Sequence, residues 1–338
     1  MKDEKKGPLH GFVKAVLFAL SLVYRLAVGV VDLAYRSGLR RRHRAGVPVI
    51  SVGNITLGGT GKTPLTIFLA DHLVSSGRKP AVLTRGYGND ESKMLRDVLA
   101  EVPVFVGQDR VRSARWAAAQ ERDVLILDDG YQHRRLARDL NLLLLDSASP
   151  FGNGHLVPRG TLREPASSVK RADMVILTKV DRTSPERISA AKERIGELAP
   201  GMPIISTRHR PACLLDVTGA AYSPGSISGQ KIMLISGIVD PDYLAYLLER
   251  LGGRIAGRLD YPDHYRYTWR DVEKIRRQCD ICGAEKIITT KKDYVKIRML
   301  DISQIEEKLF VLDIAVDVVE GKEELFAGLD SSVPGKGA

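Results

Sequence analysis

Cysteine is scarce, with three in 338 residues, so the chain has no disulfide framework and belongs in a reducing compartment. Cys279 and Cys282 form a lone Cys-x-x-Cys. They fall near the expected end of a helix, where the dipole raises a thiol pKa instead of lowering it, and the pair reads as buried cysteine. Long apolar runs are also missing. The longest in the amino-terminal leader, residues 15–24 with only Ser21 breaking it, is well short of the roughly 20 residues that a spanning helix needs. No zinc-finger spacing and no basic run interleaved with aromatics occurs, which removes the usual signatures of nucleic-acid binding. The net charge of +10 would otherwise suggest such a partner, but residues 2–44 alone hold ten basic and three acidic side chains. The rest of the chain is nearly balanced. Charge localised in this way suits an anionic membrane surface, and no nucleic-acid partner is expected.

An apolar content of 44% over this length fits two ordinary domains. The most informative stretch is 47–66. Val47-Pro48-Val49-Ile50-Ser51-Val52 is apolar and β-branched, as a buried parallel strand requires. Gly58-Gly59-Thr60-Gly61-Lys62-Thr63 follows. Its glycines free backbone N–H groups to wrap phosphate oxygens, Lys62 suits the β- and γ-phosphates, and the Thr63 hydroxyl suits Mg²⁺. The strict phosphate-loop pattern has glycine five residues before Gly61, where this chain has Thr56. The match is therefore to the Gly-Lys-Thr end of the pattern.

On a helical wheel of the leader, Lys14, Ser21, Arg25, Asp32 and Arg36 form one polar stripe, and apolar side chains occupy the rest. An amphipathic helix lying in the membrane interface with that stripe toward water is expected, anchored by Arg40-Arg41-Arg42-His43-Arg44. A signal peptide is the main rival, but export would carry a nucleotide site into a compartment without ATP; a helix buried against its own domain or a dimer partner is a further reading.

Downstream, helices are expected over 62–76, 109–120, 241–251 and 269–282, and strands over 80–84, 102–106, 124–127, 141–145, 173–177, 231–235 and 254–259 and near Ile287. Asn89-Asp90-Glu91 opens a further helix with acidic side chains suited to its start. Asp128-Asp129 ends the strand at 124–127, where phosphate-loop enzymes hold Mg²⁺. Residues 130–165 carry far more polar chemistry than a connector needs, as a substrate-recognition loop would. Thr178-Lys179-Val180-Asp181 resembles a guanine-reading motif, but Thr290-Lys291-Lys292-Asp293 repeats the pattern after another strand, which weakens it as a sign of GTP.

These motifs together resemble the tetraacyldisaccharide 4′-kinases of lipid A synthesis. The resemblance rests on Ser51-Val52-Gly53-Asn54, residues 58–64, Arg85-Gly86-Tyr87, Asp128-Asp129-Gly130-Tyr131-Gln132-His133, Arg138-Asp139, Leu162-Arg163-Glu164-Pro165 and Pro262-Asp263-His264-Tyr265, in that order over nearly the whole chain. It implies that Lys62 and Thr63 serve ATP and Mg²⁺, that Asp129 with Glu91 helps to hold the metal, that Asp90 is the base supported by His264, and that Glu164 lines the site. The family has a longer excursion after Arg-Gly-Tyr and then Gly-Asp-Glu-Pro, whereas Asn89-Asp90-Glu91-Ser92 follows almost at once here.

The expected fold is α/β and P-loop NTPase-like, a mostly parallel sheet flanked by helices. A membrane helix (1–45) precedes a nucleotide-binding domain (46–218), a linker (219–230) and a smaller α/β domain (231–330). The expected activity is ATP- and Mg²⁺-dependent phosphorylation of a sugar hydroxyl, the 4′ position, on an acylated disaccharide phosphate at the cytoplasmic face of the inner membrane. Lys62, Asp90 and His264 are the catalytic candidates. Gly58, Gly59, Thr60, Gly61, Lys62 and Thr63 would bind nucleotide; Thr63, Asp128, Asp129 and Glu91 would bind metal; Arg110, Asn153, Arg163 and Glu164 would bind acceptor, with Arg138 a further candidate. A P-loop GTPase or metallochaperone switch, and a nucleotide-binding membrane scaffold without catalysis, are the alternative readings.

Overall fold

A computed structural model describes residues 8–86 and 90–333, with backbone only for Pro8, Leu9 and Asp90. Lys5-Lys6 and Tyr87-Gly88-Asn89 lie outside the described residues, as does the side chain of Asp90. In chain order the elements are α1 (Pro8–Arg36), β1 (Val49–Asn54), α2 (Lys62–Ser75), β2 (Pro80–Thr84), α3 (Asp90–Val98), β3 (Val104–Val106), α4 (Arg110–Ala119), β4 (Val124–Asp128) and β5 (Leu140–Asp146). There follow β6 (Met174–Thr178), α5 (Pro185–Leu198), β7 (Ile204–Leu215), β8 (Ala221–Tyr222), β9 (Lys231–Ser236), α6 (Pro241–Arg250), β10 (Arg254–Asp260), α7 (Trp269–Cys282), β11 (Lys286–Thr290), α8 (Lys291–Ile297), β12 (Leu309–Glu320) and α9 (Lys322–Ser332).

The chain divides into two compact units, each discontinuous in sequence. The first comprises the residues up to Lys62, Asp109–Thr207 and those from Val318; the second comprises Thr63–Gln108 and Arg208–Asp317. These units follow packing and cut across the contiguous 46–218 and 231–330 segments. Residues 219–230 include a short hairpin, with Leu214 opposite Tyr222 in antiparallel pairing, and Ile227 is buried in the second unit's core.

In the first unit β1 lies between β4 and β5, parallel to both, and β6 continues from β5 in the same direction. Every residue of β1 is buried, as its apolar, β-branched composition demands of a strand flanked on both sides. A side chain at Gly53 would place its Cβ 2.5 Å from the Tyr131 backbone nitrogen, so glycine there lets the segment after β4 close over the end of β1. In the second unit β9 lies between β10 and β11 in parallel register, and β11 pairs with β12. Cys279 is buried there and Cys282 partly buried, and burial pushes the Cys279 thiol up. Among the described residues there is no disulfide.

The expected outward facing of the polar stripe of α1 holds for only part of it. Ser21 is buried, Lys14 and Asp32 are half-buried, and Asp32 is ion-paired with Arg134. Lys14, Ser21 and Asp32 thus face the protein, joined by Leu17, Tyr24 and Val28 at helical spacing, while Arg25 and Arg36 stay exposed. Phe12, Val16, Leu20, Val23, Leu26, Val30 and Leu33 are exposed. A charge on an amphipathic helix can be satisfied by a distant partner as well as by water, and Arg134 lies 102 residues away. The 27 residues His10–Arg36 are also long and apolar enough to cross a membrane, which a count of uninterrupted apolar residues does not reveal.

Candidate active site

The turn after β1 is shaped by Asn54, whose side-chain amide donates to the Thr60 hydroxyl at 2.9 Å. The Thr60 N–H donates back to the Gly58 carbonyl at 3.1 Å. Gly58 and Gly61 adopt φ of 130° and 84°, a region open to glycine at little cost. Lys62 then begins α2, so the turn delivers the chain to a helix amino terminus, a ready anion site. Gln132 fastens the strand end from the other side, donating to the Asn54 carbonyl at 2.8 Å.

The Asp128-Asp129 pair divides at the end of β4. Asp128 is 3% exposed, whereas Asp129 takes φ of 49° and turns outward. Its carboxylate lies 3.5 Å from Lys62 Nζ and 3.3 Å from Arg163 Nη1. Burial alone would raise the Asp129 carboxyl, but the charges of Lys62 and Arg163 outweigh it and hold the group below its ordinary range. The next residue must be small, since a Cβ at Gly130 would meet the Ser51 hydroxyl at 2.6 Å and Leu127 at 2.7 Å.

Behind this cluster lies a buried ion network. Glu164, 3% exposed, accepts from Arg134 Nη2 at 3.2 Å and from Arg171. Arg171 also stacks over the Tyr131 ring, with its guanidinium carbon 4.6 Å from the centroid. Arg138 donates to the carbonyls of Gly130, Tyr131 and His133 and to Asn141. It fixes the turn after Asp129. Arg110, also buried, approaches the Asp128 carbonyl at 3.4 Å. Asn153 lies on an exposed loop and accepts from the His155 N–H at 3.2 Å. Tyr24 of α1 donates its hydroxyl to the Arg163 carbonyl at 2.9 Å, so α1 braces the residue that pairs with Asp129.

The second unit holds its own cluster. Lys292, near the start of α8, bridges Glu91 at 2.9 Å and Asp263 at 3.0 Å. Burial works against its charge, but the two carboxylates outweigh it and raise its pKa. His264 Nε2 lies 3.5 Å from Asp263, and its backbone is left-handed with φ of 59°. The adjacent Asp293 is fully buried and accepts from the Gly237 N–H, Tyr267 and Thr290, which anchors α8 beneath the cluster. The two Thr-Lys-x-Asp copies therefore differ. Lys179 is left-handed and pairs with Asp146 at 2.9 Å, while Thr290 caps α8.

The family model for tetraacyldisaccharide-1-P 4′-kinase matches residues 13–333. This chain belongs to that family. A tetraacyldisaccharide 4′-kinase of Anaeromyxobacter sp. (strain K) is 36% identical over 98% of this chain and 93% of the relative. One from Syntrophus aciditrophicus is 39% identical over 85% of each. The crystal structure of Aquifex aeolicus LpxK, described as an "apo" form in complex with ATP, aligns with a TM-score of 0.74 and 27% identity over 95% of this chain and 99% of that one.

The family match spans α1 and both clusters. Of the residues expected from sequence, Lys62, Asp129 and Arg163 come together, while Glu164 is engaged with Arg134 and Arg171. Glu91 and His264 are joined through Lys292 and Asp263. Sequence reasoning missed Lys292 as a bridging residue. The Thr-Lys-x-Asp repeat draws notice to Lys292 but carries no sign of its partners.

Proposed function

We propose that this tetraacyldisaccharide 4′-kinase moves the γ-phosphoryl of ATP onto the 4′-hydroxyl of an acylated disaccharide 1-phosphate through the residues of the two clusters. The observation that carries the assignment is the Lys62–Asp129–Arg163 contact beside the glycine turn. Phosphoryl transfer needs placement, charge neutralisation and a group to take the hydroxyl proton. Lys62 and the amides of residues 58–61 would neutralise and position the phosphates.

Mg²⁺ prefers oxygen donors, one or two carboxylates together with substrate phosphates and water. Asp129 fits as the outward-turned, ionised member of its pair, with the Thr63 hydroxyl as a second donor. When bound there, the ion would neutralise phosphate charge. Asp128 would support Asp129 from within the fold. Asp90, at the first position of α3, would accept the proton from the acceptor hydroxyl. His264 would support it, with Lys292 holding Glu91 and Asp263 in place. The apolar helix α1 is compatible with membrane association, and we place the enzyme at the cytoplasmic face of the inner membrane, where ATP and a lipid acceptor are both at hand.

A product assay tests this reading. Detergent-dispersed acceptor with ATP and Mg²⁺ should yield the 4′-phosphorylated lipid, chelation should abolish the yield, and GTP should be used far less well. Equal kcat/KM for the two nucleotides, or turnover undiminished by chelator, would overturn it.

A further inference from the structure

Beside α1, against residues 165–171, is a cavity of about 200 Å³. Its wall includes Arg25, Asp32 and Arg36 from the helix and Arg134, Ser168 and Arg171 from the body of the first unit. Four guanidinium groups thus meet a single lining carboxylate. Three of the four are held in place before any ligand arrives. Asp32 bridges Arg36 at 2.8 Å and Arg134, and Arg171 is fixed by Glu164 and by the Tyr131 ring. The volume equals about seven waters of liquid, enough for a phosphate with its ester arms. Planar guanidinium forks match phosphate oxygens, and Arg is favoured wherever such recognition matters.

The surroundings narrow the source of the phosphate. Leu26, Val30 and Leu33, on the same stretch of α1 as Arg25 and Arg36, are 71%, 67% and 66% exposed. A phosphate that reaches this pocket does so beside side chains suited to acyl chains. We propose that the cavity binds the phosphate headgroup of an anionic bilayer phospholipid, a specific site beyond the general attraction of the basic leader to an anionic surface. It would fix both the depth and the rotation of α1 in the interface.

Arg25 and Arg36 reach solvent, so replacing both with alanine should leave the fold intact, whereas Arg134 and Arg171 are tied into the buried network. The test is flotation of the full-length protein with phosphatidylcholine vesicles, with and without phosphatidylglycerol, in about 0.5 M salt, where the screening length falls to about 4 Å and diffuse attraction is lost. The unaltered protein should keep at least a tenfold preference for the anionic vesicles. Arg25→Ala/Arg36→Ala should lose that preference while keeping its binding to phosphatidylcholine. Arg41→Ala/Arg42→Ala, which removes equal charge outside the pocket, should retain it. Loss of preference by the unaltered protein in high salt, or equal loss in the two double variants, would overturn the site. The assay contains no nucleotide or acceptor, so its outcome does not depend on the kinase assignments. A second arm measures the acceptor KM in micelles free of phospholipid. It should be unchanged in Arg25→Ala/Arg36→Ala; a tenfold rise would give the pocket to the acceptor's own phosphate and overturn the phospholipid assignment.

Discussion

At the glycine turn one carboxylate, Asp129, stands between two cations, Lys62 and Arg163, while at the start of α8 one cation, Lys292, stands between two carboxylates, Glu91 and Asp263. In both, the flanking charges overcome burial and keep the central group ionised. What differs is the charge left over. The first cluster has a surplus positive charge, which suits a polyphosphate. The second has a surplus negative charge, which suits the neighbourhood of a group that must take up a proton. The same ion-pair chemistry thus leaves opposite net charge, according to which sign is in the majority.

The sharpest test of the acidic cluster is also the largest expected effect. Asp90→Ala should lower kcat by about 10² to 10⁴, the usual worth of general acid–base catalysis, with ATP affinity nearly intact. His264→Ala should cost less, and adding it to Asp90→Ala should cost little more, because groups that act together give non-additive losses. A fully active Asp90→Asn, or additive losses in steady-state kinetics, would show that Asp90 is not the base.

The basic cluster breaks differently. Asp129→Asn leaves Lys62 and Arg163 with no counter-charge between them, and should lower kcat by about 10² to 10³, the scale of a lost transition-state electrostatic partner. Its Mg²⁺ requirement should move to higher concentration. Titrating Mg²⁺ against initial rate checks both, and an unchanged midpoint would show that Asp129 holds no metal.

Glu164→Ala asks whether the network behind the basic cluster is structural. Removing a buried carboxylate that faces Arg134 and Arg171 should cost about 3–5 kcal/mol, read as a fall in Tm. A raised acceptor KM with unchanged Tm would make Glu164 a substrate contact instead.

The smallest effect concerns His133. Burial, together with Arg110 and Arg138, lowers its pKa to about 4, against about 6.5 in an unfolded chain. Between those values the unfolded chain takes up a proton that the folded protein refuses. Stability should therefore fall as pH drops from about 6.5 toward about 4 and lose nothing more from this group below that. His133→Asn should flatten that part of the stability curve in denaturant titrations, and an unaltered slope would show that the histidine titrates normally.

The strands around the glycine turn were legible in sequence because burial on both faces leaves a nearly continuous apolar run, as in β1, β4 and β5. Glycine, proline and capping residues marked their ends. The long strands β7 and β12 were not legible, since their mixed exposure breaks the pattern that betrays a buried strand. At the site, Lys62 and Asp129 could be found because loop chemistry and strand ends carry local signals. The Lys292 bridge could not, because its two contacts lie 201 and 29 residues away and nothing near any of the three residues records the pairing. The inward facing of part of α1 was missed for the same reason.

The hydrogen bond from Tyr24 to the Arg163 carbonyl bears on how the enzyme can be handled. Arg163 is gripped at both ends, its backbone by α1 and its guanidinium by Asp129, so the apolar helix serves as scaffolding for the Asp129 contact as well as presenting an exposed apolar face. Trimming it away for solubility would leave Arg134 without Asp32 and release the segment that carries Arg163. A shortened enzyme that stays in solution is therefore a poor reporter of the intact one, and detergent or nanodisc preparations of the whole chain are the form in which its rates carry meaning.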